Sequence, residues 1–318
     1  MSRGLIPVVE IAAGTEARDL AEARRRFYAE RLEEGHILLF EPSPFPLPDA
    51  AERDALAAVR QASSAYHKNI SYRPGEDRVK GLATGGGDAD TVQRVLRAYS
   101  QGVIRFMADL FPWYASRWKI DFASFRPVEE QGRQLSLRAR NDLLHVDSFP
   151  TRPTNGARIL RVFSNVNPRA SRRWITTDTF DVLAPRLAME AGLEQIAAGA
   201  RSRGGEGREW LSRLARLVGI DREARSPYDR FMLGFHHYMK ANTAFQAACP
   251  KSYWEFPPDS TWIVLTDMVP HAVESGQFAL EQTFIVPCEA LVRPDLAPVR
   301  VLERLCGVPL TRGQTLTS

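Results

Sequence analysis

Apolar and polar positions recur with two different periods along this chain, and the change of period divides it. In its first part the apolar positions return every three or four residues, the spacing of one helix face. Residues 16–35 read as a charged amphipathic helix whose Arg24-Arg25-Arg26 run is a solvated face. His36 to Phe40 reads as a strand, and the proline-rich stretch Glu41 to Pro48 as a loop. Ala, Leu and Val at helical spacing predict a helix over 49–66. Gly81 to Asp90 is a loop without the Lys-Ser/Thr of a phosphate-binding P-loop. Asp88 or Asp90 is placed to cap a helix running from about Thr91 to Trp118.

From Phe122 the pattern becomes short β-like runs broken by Pro, Gly and Asn. Candidate strands are 134–138, 142–148, 157–167 and 172–177. Helical spacing returns near 207–219 and 227–248, strands at 252–256, 261–273 and 278–286, and a last helix at about 297–306. Many short strands wrapped by helices predict an α+β protein with a double-stranded β-helix core, the jelly roll of cupins. Residues 1–121 would be a helical region packed on the core. Residues 122–318 would be the catalytic jelly roll with a helical insert at about 178–250, the whole forming one integrated domain.

Composition adds bounds rather than identity. A chain of 318 residues with 44% hydrophobic and 25% charged residues can bury a large core. Its positive charge is nearly all arginine, since only five lysines occur, at 68, 80, 119, 240 and 251. Codon bias accounts for such a bias; planar guanidinium forks also suit carboxylate and phosphate ligands. Cys249, Cys288 and Cys306 are isolated thiols with no metal spacing, which fits a reducing compartment. No apolar run is long enough to span a membrane and the N-terminus lacks a signal-peptide core, so a cytoplasmic protein is expected.

The candidate chemistry lies in Asn141-Asp142-Leu143-Leu144-His145-Val146-Asp147, answered downstream by His271 in Val269-Pro270-His271-Ala272-Val273. In an extended strand, residues i and i+2 face the same way, so His145 and Asp147 can grip one ion. His271 on a neighbouring strand would complete a 2-His-1-carboxylate set, which holds one face of Fe(II) and leaves positions for O2 and a co-substrate. His-x-Asp alone is weak, because such pairs also sit at turns or cap helices. Here two of only six histidines fall at these places. His236 and His237 lie in the helix expected over 227–248 and point about 100° apart, so they read as core or lid residues. His67 reads as a helix-end residue.

The usual co-substrate of such a centre is 2-oxoglutarate, whose far carboxylate needs a buried cation. Many such enzymes place an arginine about ten residues after the distal histidine, but here Leu280-Glu281-Gln282-Thr283 offers no base. Arg161 is the favoured substitute. It shares one strand face with Phe163, Asn165 and Asn167, opposite Leu160, Val162, Ser164 and Val166. Arg172, which shares a face with Trp174, and Arg126 are further candidates for the co-substrate pocket.

The run His145-Val-Asp-Ser-Phe-Pro-Thr-Arg-Pro-Thr, then Arg158-Ile-Leu-Arg-Val-Phe-Ser-Asn-Val-Asn-Pro, then Arg173-Trp174 resembles the Kdo 3-hydroxylase family. The likeness is strongest across about 126–176 and 261–287. It implies an Fe(II)/2-oxoglutarate dioxygenase that hydroxylates C3 of 3-deoxy-D-manno-oct-2-ulosonic acid (Kdo) to give Ko, with His145, Asp147 and His271 as catalytic metal ligands. The implied substrate is Kdo-bearing lipid A, reached by peripheral contact with the anionic cytoplasmic face of the inner membrane; no nucleic-acid partner is expected. The residues leave two other readings: a 2-oxoglutarate oxygenase acting on a soluble small molecule or amino acid, and a non-enzymatic jelly-roll sugar-binding module.

Overall fold

The computed structural model describes residues 5–7, 18–62, 69–85, 87–202 and 225–312. Its frame is an eight-stranded sheet. In chain order the strands are β1 (Leu5–Pro7), β2 (Ile37–Phe40), β3 (Ile70–Arg73), β4 (Arg78–Lys80), β5 (Lys119–Arg126), β6 (Arg158–Asn165), β9 (Thr261–Leu265) and β11 (Ala279–Val286). They lie in the order β1-β2-β9-β6-β11-β5-β3-β4. All neighbours pair antiparallel except β1 with β2. A smaller antiparallel sheet is built from β7 (Arg172–Thr176), flanked by β8 (Ser252–Phe256) and β10 (His271–Ser275).

The two sheets meet through rings. Phe163 on β6 lies 5.0 Å from Trp174 on β7, and Trp262 on β9 stacks on Phe256 of β8 at 4.0 Å. This is the expected α+β jelly-roll core, with helices wrapped around it. Helix α3 (Ala89–Leu110) covers the outer face of the large sheet with Val92, Val95, Leu96, Tyr99, Val103 and Met107. Its polar contacts are specific: Ser100 Oγ donates to Gln282 Oε1 at 2.7 Å. Strand β6 is buried on both faces, so its polar residues Arg158, Ser164 and Asn165 are enclosed together with its apolar ones and each finds a hydrogen-bond partner.

Several elements differ from the pattern-based reading, each for a local reason. Helix α1 (Arg18–Glu33) agrees, while α2 (Ala50–Ala57) stops well short of residue 66. Asp88, not Asp90, caps α3, accepting from the backbone N–H groups of Asp90 and Thr91. The helix expected to reach Trp118 ends at Leu110; Pro112 opens a separate turn, α4 (Pro112–Ala115), and β5 begins at Lys119. The β3–β4 hairpin was not expected at all, and it brings the N-terminal part of the chain into the main sheet. Residues 134–138 are not a strand but a loop running into one 3-10 turn, Leu137–Ala139.

The insert holds α5 (Phe180–Leu187), α6 (Leu193–Arg201), α7 (Pro227–Ala241) and α8 (Thr243–Ala248). The expected helix at 207–219 lies outside the described residues, as does His67. The helix expected over 227–248 is divided by Asn242. Its N–H closes the last turn of α7, and its side chain accepts from Phe245 N–H to start α8. The final helix is α9 (Pro298–Cys306).

Beneath the sandwich Arg158 on β6 donates to Asp267 in the turn after β9, with a 2.8 Å contact and both side chains essentially without solvent access. That turn delivers His271. Removing one member of such a pair leaves a buried uncompensated charge, so Asp267→Ala should destabilise the fold by about 3–5 kcal/mol. A lower urea midpoint at unchanged m-value would show it. Arg158→Met with Asp267→Leu should recover most of the loss.

Candidate active site

His145 and Asp147 do not sit in a strand of either sheet. Their segment is extended but joins β10 by a single antiparallel bridge: His145 N–H donates to His271 C=O at 3.1 Å, and His271 N–H returns to His145 C=O at 2.9 Å. The expected strand 142–148 is therefore reduced to a strap, and the i, i+2 geometry survives because the strap is extended. Further bonds hold it. Asp147 N–H donates to Thr266 C=O at 2.9 Å. Gln246 on α8 accepts from Leu144 N–H at 3.1 Å and donates to Leu144 C=O at 2.9 Å. His236 on α7 places Nδ1 2.7 Å from Val146 C=O.

The result brings His145, Asp147 and His271 together, with one ligand atom from each within 4.8 Å of the others. All three are buried. The histidine Nδ1 atoms lie 2.7 Å and 2.9 Å from the carbonyls of Leu143 and Val269. A carbonyl accepts only, so Nδ1 must hold the proton and each Nε2 presents a lone pair. Burial holds both imidazoles below the usual histidine range, His145 well below it. Burial would raise the Asp147 carboxyl, but the Arg161 guanidinium beside it acts the other way and the carboxyl is held below the usual range, ionised. Two neutral imidazoles and one carboxylate are the donor set of the non-haem iron facial triad, so these residues fit that metal.

Of the four candidate co-substrate residues, Trp174 and Arg161 touch the triad directly, Arg126 reaches it only through Glu281 and Arg161, and Arg172 has no contact with it. Trp174 stacks on the His271 ring at 5.0 Å and 18°. Arg161 Nη1 lies 3.0 Å from Asp147 Oδ2, as an ion pair whose alignment falls short of a hydrogen bond, and its Nη2 lies 3.1 Å from Glu281 Oε1. Arg126 donates to the other oxygen of Glu281 through Nε at 2.8 Å and Nη2 at 2.5 Å. Arg172 is different. It is 1% exposed, Nη1 donates to Gly276 C=O at 2.9 Å, and Nε has no partner. Among the described residues no carboxylate lies within ion-pair distance of it. Burial, with repulsion from Arg126, draws its pKa down to about 10. Gly276 has to be glycine: its φ is +129°, and a Cβ would stand 2.7 Å from Arg172 Cγ.

Pattern reading did not foresee what three residues do in this site, although it placed His236 as a core or lid residue. Glu281 was weighed only as the absence of a base, although a lone acid inside the apolar strand β11 was a visible signal. Gln246 and His236 had no such signal, since what they do depends on helices folding back over the strap. His237 is likewise on α7, its ring 5.1 Å from that of His236.

An antiparallel jelly roll holding two histidines and an aspartate at its mouth defines the class of 2-His-1-carboxylate oxygenases. Comparison with known proteins narrows this. Residues 15–309 match the family described as 3-deoxy-D-manno-oct-2-ulosonic acid (Kdo) hydroxylase. The apo structure of the Kdo hydroxylase KdoO, a non-haem Fe(II) α-ketoglutarate-dependent dioxygenase, is 34% identical. It aligns over 99% of this chain and 100% of its own, with a TM-score of 0.80. KdoO with α-ketoglutarate and Fe(III) aligns at 33% identity over the same shares, with the same TM-score. KdoO with succinate and Fe(III) aligns at 34% over 99% of each chain, with a TM-score of 0.79. No curated protein sequence matches. The chain belongs to the Kdo hydroxylase family.

The strap is where a small change should be felt at the metal. Gln246→Ala leaves Leu144 N–H and C=O without their partners, a loss of about 1–3 kcal/mol at a part-buried site. Freed from α8, the strap should bind Co(II) roughly 10- to 100-fold more weakly, the usual effect of losing an outer-shell support. Calorimetric titration of the variant checks this, and unchanged affinity would mean that the His145–His271 bridge suffices alone.

Proposed function

We propose that this chain is an Fe(II)/2-oxoglutarate-dependent hydroxylase of Kdo, inserting oxygen at C3 of the sugar on Kdo-bearing lipid A to give Ko. The observation that supports it most is the buried triad with both Nε2 lone pairs free, in a chain aligned along nearly its whole length with KdoO. When bound, iron and 2-oxoglutarate supply the oxidising power, splitting O2 between succinate formation and a C–H bond. His145, Asp147 and His271 would hold the metal on one face. The protein's own residues do the rest: they orient the co-substrate, keep water out and set which carbon is presented.

For the co-substrate, Arg172 is the residue we assign to the far carboxylate, ahead of Arg161. It is a buried cation with no carboxylate of its own, whereas Arg161 and Arg126 already have theirs. Arg172 and Trp174 share a strand face, and two residues along a strand span about 6.8 Å, the scale of a five-carbon diacid with its other end near His271. Trp174 walls the space between, and Arg161 and Arg126 add positive potential along the side. Arg172→Ala should raise the KM for 2-oxoglutarate sharply. A buried charge-assisted bond contributes about 1.5–3 kcal/mol, or roughly ten- to more than hundredfold. Metal affinity should stay at the wild-type level. A KM unchanged in Arg172→Ala but raised in Arg161→Ala would return the role to Arg161.

Kdo carries a carboxylate and lipid A carries phosphates, so an arginine-rich surface suits this substrate. Among the described residues no helix is long and apolar enough to cross a membrane. We read the contact with the anionic leaflet as peripheral, each basic residue near the surface contributing about 1 kcal/mol. The test is succinate release dependent on Kdo-lipid A, with a gain of one oxygen atom on the sugar by mass spectrometry. Alanine at His145, Asp147 or His271 should abolish both. Turnover on a soluble amino acid and none on Kdo-lipid A would keep the oxygenase and refute the substrate. Absence of a charge-transfer band with Fe(II) and 2-oxoglutarate under anaerobic conditions would leave a sugar-binding module.

A further inference from the structure

Asp147 is the only anionic ligand of the triad, and its two oxygens face different partners. Oδ1 lies 3.8 Å from His145 Nε2, on the side of the metal donors, while Oδ2 faces Arg161 Nη1 at 3.0 Å. That second contact is a hazard. A guanidinium fork fits a carboxylate best by engaging both oxygens in parallel, and Arg161 in that pose would compete with the metal for Oδ1. The structure shows what draws it away. Arg161 Nη2 is held 3.1 Å from Glu281 Oε1, so the fork is split between two acids instead of closing on one.

Glu281 is itself fixed. It is 2% exposed on β11, in register with Phe163 on β6 and Ser124 on β5. Its other oxygen accepts two bonds from Arg126. The guanidinium carbons of Arg126 and Arg161 lie 5.9 Å and 5.8 Å from the centre of the Phe163 ring, a common apolar floor for both. A carboxylate thus stands on β11, about ten residues beyond the distal histidine, where many oxygenases of this class place a cation.

We propose that Glu281 is a positioning residue for the metal centre: by holding Arg161 off Asp147 Oδ1 it keeps that oxygen available to the metal. Glu281 touches neither metal nor co-substrate in this role and acts through Arg161 alone. The inference rests on the metal reading of His145, Asp147 and His271, and its test separates the two.

The probe is Co(II), titrated into the full-length apoprotein without 2-oxoglutarate and read by its visible absorption, with unfolding midpoints recorded for every variant. Glu281→Gln keeps the shape and removes the charge. It should weaken Co(II) binding roughly 10- to 100-fold, as loss of an outer-shell partner does. The decisive comparison is a double-mutant cycle. In an Arg161→Met background, where no fork remains to restrain, adding Glu281→Gln should not weaken Co(II) binding further. Glu281→Asp keeps the charge but retracts it by one methylene, and it carries the same cycle should Glu281→Gln not fold. Co(II) affinity unchanged in Glu281→Gln, or an equal loss in both backgrounds, would overturn the proposal. A wild-type chain that fails to bind Co(II) would overturn the metal reading instead.

Discussion

Two backbone hydrogen bonds between His145 and His271 join segments that are far apart in the sequence, and the rest of the site depends on that bridge. A mononuclear metal needs its ligands within a few ångströms, yet neither sheet contains the segment that supplies two of them. The bridge solves this by making His145 the single-residue partner of a strand already fixed by β7. Once His145 is opposite His271, Asp147 follows at i+2 on the same face, and its N–H reaches the Thr266 carbonyl at the start of the turn that delivers His271. One local geometry therefore determines three ligands.

A second constraint is electrostatic. The interior beside the triad holds Arg126, Arg161 and Arg172 against Asp147, Glu281 and Glu130, all with little access to water. At low dielectric, unpaired charges are costly, so each must find a partner or await one. Arg126 and Arg161 are satisfied by Glu281 and Asp147. Glu130 faces Arg133 at 3.2 Å and Arg126 at 4.0 Å. Arg172 is left with a backbone carbonyl as its hydrogen-bond acceptor, and its Nε has no partner.

What the sequence revealed, and what it hid, follows from the range of each interaction. The ligands were legible because i, i+2 spacing is local, and the double-stranded β-helix because its strands alternate or run apolar over several residues. Arg161, Arg172 and Trp174 were legible as strand-face neighbours by the same rule. The strap at 142–148 looked like a strand since it is extended and apolar, but pairing is a tertiary property and only one bridge forms. The β3–β4 hairpin was missed because two short polar runs make no periodic signal until β5 lies beside them. Gln246 and His236 act on backbone groups about a hundred residues away, which no pattern within their own helices could reveal.

The same reasoning explains why Glu281 was read as a gap. Scanning for a base after the distal histidine assumes that the co-substrate cation sits on that strand. Here the cations are distributed over β5, β6 and β7, and β11 between β5 and β6 carries the acid that spaces them. With an acid at this strand position and arginines on the neighbouring strands, Arg126 and Arg161 each keep a counter-ion within the buried cluster. Exchanging that sign has to be concerted: an arginine at 281 beside Arg126 and Arg161 would put three guanidiniums together with only Asp147 and Glu130 to balance them. The departure from the common spacing is therefore a property of the whole charge cluster, not of residue 281 alone.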